Sequence, residues 1–160
     1  MSWKLLEPAV GERVYAVIGE PGDDAVELLG QFARAEELTA AQLTAVGAFS
    51  TATVGWFDRE AKDYRRIEVG EQCEVLSLLG DIALGPDGPA VHLHAVLGLA
   101  DGQVRGGHLL AGEVWPTLEV IVREAPGYLR KTQRPDIGLA LVDLEVSRGG
   151  RAAGGRGRPI

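Results

Sequence analysis

The chain has 160 residues, 46% of them hydrophobic, a formal net charge of −7 and a single cysteine, Cys73. That size and apolar content fit one globular domain with a real core, and one cysteine excludes both a disulfide framework and a cysteine-rich zinc cluster, which suits a reducing, cytoplasmic setting. The opening Met-Ser-Trp-Lys-Leu-Leu-Glu-Pro lacks the apolar run of a signal peptide, and no stretch approaches the ~20 apolar residues of a membrane span, so no membrane partner is expected.

In chain order, Arg13 to Ile18 has the valine and tyrosine content of a strand, and Glu20-Pro21-Gly22-Asp23-Asp24 is a turn ending in acidic helix-capping residues. A helix is predicted from Ala25 to about Leu38, with Leu28, Leu29, Phe32 and Ala33 on one face and Glu27, Gln31, Arg34 and Glu37 largely on the other. Thr39 marks a brief turn before a strand from Leu43 to Ala48. Thr51 to Asp58 and Tyr64 to Val69 flank a charged turn and read as a hairpin. Glu74 to Leu79 is a strand that Gly80 breaks, with Ile82 to Leu84 continuing before the loop Gly85 to Pro89. Val91 to Leu99 and Val104 to Leu110 flank the turn signal Asp101-Gly102 as a second hairpin. Trp115-Pro116 interrupts the pattern because proline donates nothing to a ladder, and Leu118 to Val122 resumes it. Glu124 to Asp136 reads as an irregular excursion, and Leu139 to Val146 as the last strand. The expected fold is α+β, a mainly antiparallel sheet of about seven to eight strands with one main helix packed on it. Residues 1–146 form a single domain in this reading, and the Gly/Arg-rich residues 147–160 a disordered tail.

All three histidines fall on the second hairpin. His92 and His94 are two residues apart on one strand, so they point the same way with Cα atoms roughly 6.5 Å apart. A two-residue turn at Asp101-Gly102 pairs residues whose numbers sum to 203, which sets His108 beside Ala95 on the opposite face. A β-bulge at Gly106-Gly107 would reverse that and place His108 diagonal to His94, with His92 roughly 13 Å further along. One site with three ligands then needs more bending than a simple hairpin gives. Three imidazoles with an open fourth position are a donor set typical of zinc, so His92, His94 and His108 are the candidate metal ligands. The other reading is a hairpin whose histidines are merely hydrogen-bonded.

The run His92-Leu93-His94, Asp101-Gly102, Gly106-Gly107-His108-Leu109, Gly112 and Thr117-Leu118-Glu119-Val120 resembles the plants and prokaryotes conserved domain, shortened to PPC or PCC. Gly47-Ala48-Phe49, Val54-Gly55-Trp56-Phe57 and Cys73-Glu74-Val75-Leu76-Ser77-Leu78-Leu79-Gly80 agree with its earlier strands, so the resemblance covers about residues 10–146. It implies a compact domain that assembles as a homotrimer. It also implies a metal at the three histidines in some prokaryotic members and DNA binding in plant relatives, which carry AT-hooks.

Charge divides unevenly. Arg148, Arg151, Arg156 and Arg158 lie in a C-terminal segment with no acid, and removing those four charges from −7 leaves −11 on the body. Such a body repels phosphate, so nucleic-acid contact has to rest on the tail or a local patch. There Arg156-Gly157-Arg158-Pro159 matches the Arg-Gly-Arg-Pro core of an AT-hook, a thin segment able to enter the narrow minor groove of A·T-rich DNA. Lysine-rich flanks are missing, and the competing reading is a solvated end.

No phosphate-cradling loop, nucleophile elbow or dinucleotide fingerprint is present. Glu74 and Glu119 occupy strand positions that could face the histidines, but neither is assigned a catalytic role. Two classes follow: a trimeric DNA-binding or regulatory protein with a three-histidine metal site, or a zinc-dependent enzyme or small-ligand sensor acting at that site. The first is favoured, since no catalytic base is identified and an enzyme is the less expected outcome.

Overall fold

The computed structural model describes residues 1–9, 12–125 and 127–149. Its first strand, β1 (Ser2–Ala9), pairs antiparallel with β2 (Glu12–Gly19) as an outer edge. Sequence reasoning passed over β1, where Lys4 is a residue that an edge strand tolerates.

Helix α1 (Ala25–Ala35) starts where Asp24 accepts hydrogen bonds from the amides of Val26 and Glu27. It buries Leu28, Leu29, Phe32 and Ala33 and packs on two later strands, Gly88–Gly98 and Val104–Glu124. It ends three residues before the expected Leu38. Glu37 adopts a left-handed conformation (φ 52°), its amide donates to the Arg34 carbonyl, and the Leu38 amide reaches back to the Ala33 carbonyl. This is a Schellman ending, and it delivers Leu38 to the core from outside the helix.

Three long strands replace pieces that looked separate. β3 (Ala40–Asp58) unites the expected strands on either side of Ser50, absorbing register shifts near Gly47 and Thr51. After β4 (Asp63–Val69), β5 (Cys73–Gly85) runs through Gly80. A Cβ there would collide with the His92 carbonyl, so this glycine marks a close cross-strand approach rather than a break. β6 (Gly88–Gly98) and β7 (Val104–Glu124) follow. β7 continues past Pro116, whose bond to Trp115 is cis, because the proline falls in a register shift opposite Ala48 where no ladder bond is required.

The seven strands form one antiparallel sheet in the order β1-β2-β7-β6-β5-β3-β4, and β7 also pairs with β3. The strands β3, β5, β6 and β7 therefore make a closed ring of neighbours. Alternate residues such as Leu43, Val54, Leu78, Leu93, Leu97 and Leu109 point inward to a core completed by α1. Beyond the sheet, β8 (Gly127–Tyr128) pairs with β11 (Arg148–Gly149), and β9 (Lys131–Arg134) with β10 (Leu139–Val142). The expected last strand to Val146 thus ends at Val142 and belongs to a separate two-stranded arm. Among the described residues, no helix is long and apolar enough to cross a membrane.

Candidate metal centre

The turn between β6 and β7 sets the register of the histidines. The Leu99 amide donates to the Gln103 carbonyl, the Gly102 amide to the Leu99 carbonyl, and Gly102 has φ +82°. This three-residue loop ends in a left-handed glycine and holds one residue more than the turn expected at Asp101-Gly102. Partner numbers consequently sum to 202, and His94 lies directly opposite His108. The extra residue sits in the turn, not at Gly106-Gly107, and it shifts the pairing the other way, so His92 is only two residues, roughly 6.5 Å, beyond the cross-strand pair. Gly107 has a different role: a Cβ there would come within 2.5 Å of the Gly55 carbonyl on β3. Its absence allows β7 to lie close against β3 where Gly55 pairs with His108.

The three imidazoles converge. Their ligating atoms lie within 4.8 Å of one another, and His92 Nε2 is 3.2 Å from His94 Nε2. Tetrahedral zinc with bonds of ~2.0–2.1 Å spaces its nitrogens by roughly 3.4 Å, so that pair already has nearly the right separation. His108 stacks on His92 at 5.2 Å between ring centroids and on Tyr64 at 4.6 Å.

Outside the triad, Asp81 fixes His92. The carboxylate Oδ2 lies 3.0 Å from His92 Nδ1; an ionised carboxylate only accepts, so Nδ1 carries the proton and Nε2 keeps its lone pair toward His94. The Lys131 ammonium lies 3.0 Å from the other oxygen, Oδ1, as an ion pair without hydrogen-bond alignment. Burial alone would raise the Asp81 pKa, but His92 and Lys131 together hold it below the usual carboxylate range. Burial, reinforced by the neighbouring imidazoles, pushes His108 down to about 4. Burial and His92 likewise lower His94. Both rings are therefore neutral at pH 7, the form that ligates metal. Among the described residues, His108 Nδ1 is buried with no hydrogen-bond partner. The donor set, its spacing and this uncompensated nitrogen fit a divalent ion.

Asp81, Lys131 and Tyr64 are the residues that sequence reasoning missed. Glu74 and Glu119 are not part of the cluster. Glu74 is exposed opposite Gly98, four residues along β6 from His94, and Glu119 is exposed opposite Ile18 and Val46. Arg156, Gly157, Arg158 and Pro159 lie outside the described residues.

Glu119 borders a second feature. Val46, Leu76, Leu79 and Ile121 are each between 44% and 56% exposed and, with Ile18, line a groove on the outer face of the sheet. The groove therefore gathers exposed apolar side chains on one face.

A ring-closed antiparallel sheet with one covering helix and a three-imidazole cluster on its outer face defines a recognisable class of domain. The chain belongs to the Plants and Prokaryotes Conserved (PCC) domain family, whose family model matches residues 7–126. Among solved structures it is similar to a plant- and prokaryote-conserved protein of Pyrococcus horikoshii (27% identity, TM-score 0.77, covering 89% of this chain and 94% of that one). It is also similar to a metal-containing protein of Archaeoglobus fulgidus (30%, TM-score 0.76, 88% and 96%) and to a candidate DNA-binding protein of Ralstonia eutropha (28%, TM-score 0.75, 81% and 90%). A curated relative, the bifunctional protein GlmU of a Synechococcus strain, is 33% identical over 136 residues, 84% of this chain. The matched segment spans only 20% of that protein's length.

Proposed function

We propose that this chain is a homotrimeric DNA-binding or regulatory protein that holds a divalent metal, zinc, at His92, His94 and His108. The observation that carries the metal reading is the convergence of three imidazoles, one of them oriented by Asp81. Bound there, zinc would be held by three side chains and keep an open position for water or another ligand. The metal-containing Archaeoglobus relative supports this reading. The exposed Val46, Leu76, Leu79 and Ile121 supply a surface for assembly, and the Ralstonia relative supports DNA as a partner. In this proposal residues 1–146 form the cytoplasmic domain, and Arg156, Gly157, Arg158 and Pro159 in the tail 147–160 reach A·T-rich DNA. The alternative, a zinc-dependent enzyme or small-ligand sensor, is favoured by the open coordination position. Metal analysis of the native protein together with its mass by light scattering tests the proposal. About one zinc per chain and a trimeric mass are expected, with zinc lost in the triple variant His92→Ala/His94→Ala/His108→Ala. Undiminished zinc in that variant rules out the site, and a monomeric mass at micromolar concentration rules out the trimer.

A further inference from the structure

The arm formed by residues 129–147 is built mainly from its own polar contacts. Thr132 Oγ1 donates to Asp143, the Asp143 amide to the Arg130 carbonyl, and the Ser147 hydroxyl to the Asp143 carbonyl. It buries little apolar surface, since Leu141, Val142, Leu144 and Val146 are 39% to 78% exposed. Among the described residues, its ties to the rest of the chain include backbone hydrogen bonds from the Leu84 amide to the Leu129 carbonyl and from the Leu129 amide to the Thr39 carbonyl, and one from Lys62 Nζ to the Pro135 carbonyl. A further tie is Lys131. Its side chain is only 8% exposed, an uncommon state for lysine unless the charge is paired, and its partner is Asp81, the carboxylate that also orients His92.

Resting on the reading of the histidines as a metal centre, we infer that Asp81 and Lys131 are a positioning pair that couples metal binding at His92 to docking of the 129–147 arm. One carboxylate serves both. With Lys131 in place, Asp81 Oδ1 is held and Oδ2 is aimed at His92 Nδ1, so Nε2 is set toward the metal. With a metal on Nε2, the Nδ1 proton becomes a stronger donor, Asp81 is fixed more firmly, and the pocket for the Lys131 ammonium is preformed. Coupling of this kind is reciprocal: the factor by which the arm improves metal affinity equals the factor by which metal favours the docked arm. Because the arm buries little apolar surface, it is expected to open locally, and the effect is to be read in its amides.

The test uses the full chain and zinc ion, with affinity measured by competition against a chromophoric chelator and arm docking by amide hydrogen exchange with and without zinc. Zinc should slow exchange in residues 129–143 at least about 5-fold. Lys131→Met should weaken zinc binding by the same factor and abolish the zinc-dependent protection. Asp81→Asn should weaken binding about 10–100-fold, and Asp81→Asn/Lys131→Met should be no worse than Asp81→Asn alone. A wild-type chain that takes up no zinc overturns the metal reading and the coupling with it. Zinc held equally by Lys131→Met and the wild type, with arm exchange indifferent to the metal, overturns the coupling while leaving the metal centre standing.

Discussion

Replacing Gly107 by alanine tests whether the backbone approach of β7 to β3 positions the histidines. The new Cβ would lie 2.5 Å from the Gly55 carbonyl oxygen, so the strands must part by roughly 0.9 Å to reach the 3.4 Å at which ordinary contact begins. Neither side of the contact is a flexible side chain, and the displacement falls on the pair Gly55 and His108. Overpacking of this kind costs about 1–3 kcal/mol. For a chain of this size each kcal/mol moves Tm by about 2–4 °C, so thermal unfolding followed by circular dichroism should show a drop of about 2–12 °C. The shift also exceeds the ~0.5 Å within which a ligand set has to be held, so zinc affinity should fall more than stability alone explains. Gly70 is the control: a Cβ there meets nothing within 4 Å, and Gly70→Ala should stay within about 0.5 kcal/mol of the wild type. A Gly107→Ala protein that melts with the wild type and binds zinc equally refutes the argument that this glycine sets the site.

Asp24 both caps α1 and accepts the Gly112 amide of β7 at 3.1 Å, so Asp24→Ala loses a cap and strands a partly buried donor. A loss of about 1–3 kcal/mol in urea unfolding is expected. Glu124 accepts two hydrogen bonds from Arg13, at 2.7 and 2.8 Å, and Arg13 foremost, against the opposing effect of burial, holds its carboxyl below the usual range. A depressed folded pKa gives stability that is present above the unfolded value of ~4.3 and lost as pH falls through the folded one. Glu124→Gln should therefore remove part of the acid limb of the stability curve and lower stability at pH 7 by about 1 kcal/mol, discounted for the exposure of Arg13; identical pH profiles would exclude the pair as a contributor. Deleting residues 149–160 should leave the mass and zinc content unchanged and abolish salt-sensitive binding to A·T-rich duplex in gel-shift assays. Retention of that DNA by the truncated chain would move the interface to the body.

Much of the fold was legible because period-two alternation and glycine punctuation survive in the sequence. The helix face of Leu28, Leu29, Phe32 and Ala33, the hairpin around Asp58 to Asp63 and the strand content of Val91 to Leu99 are all local signals. Long strands were harder. Gly80 and Pro116 look like breaks from sequence alone, yet the first lies where another backbone approaches closely and the second where a register shift removes the need for a ladder bond, and those causes are tertiary. The three histidines could be named from spacing, but their convergence depended on one residue in the turn at Asp101-Gly102. Asp81 was within reach of the same arithmetic. The turn at Pro86-Asp87 pairs Gly85 with Gly88, so partner numbers sum to 173 and Asp81 falls opposite His92. Lys131 gave no such signal, because the arm meets the sheet through a contact across 50 residues that no local pattern encodes.

The cross-strand register ties the two features of the outer face together. Ile121 pairs with Thr44, Thr44 with Leu79, Leu79 with His94, and His94 with His108, so one row of side chains leads from the apolar groove into the imidazole cluster. Directly paired residues on an antiparallel sheet lie roughly 4.5–5.5 Å apart, which places Leu79 in the first row beside His94. A second copy that covered Leu76 and Leu79 would thus bring its own surface to the rim of the imidazole cluster, narrow the route to a metal bound there and lower the local dielectric around His94. Assembly and metal binding would then be linked equilibria. The acidic body bears on the same point: like charges oppose association, so apolar contact over Val46, Leu76, Leu79 and Ile121 has to outweigh that repulsion. Salt, by screening it, should favour the assembled state, the opposite of its effect on any contact between the arginine tail and DNA.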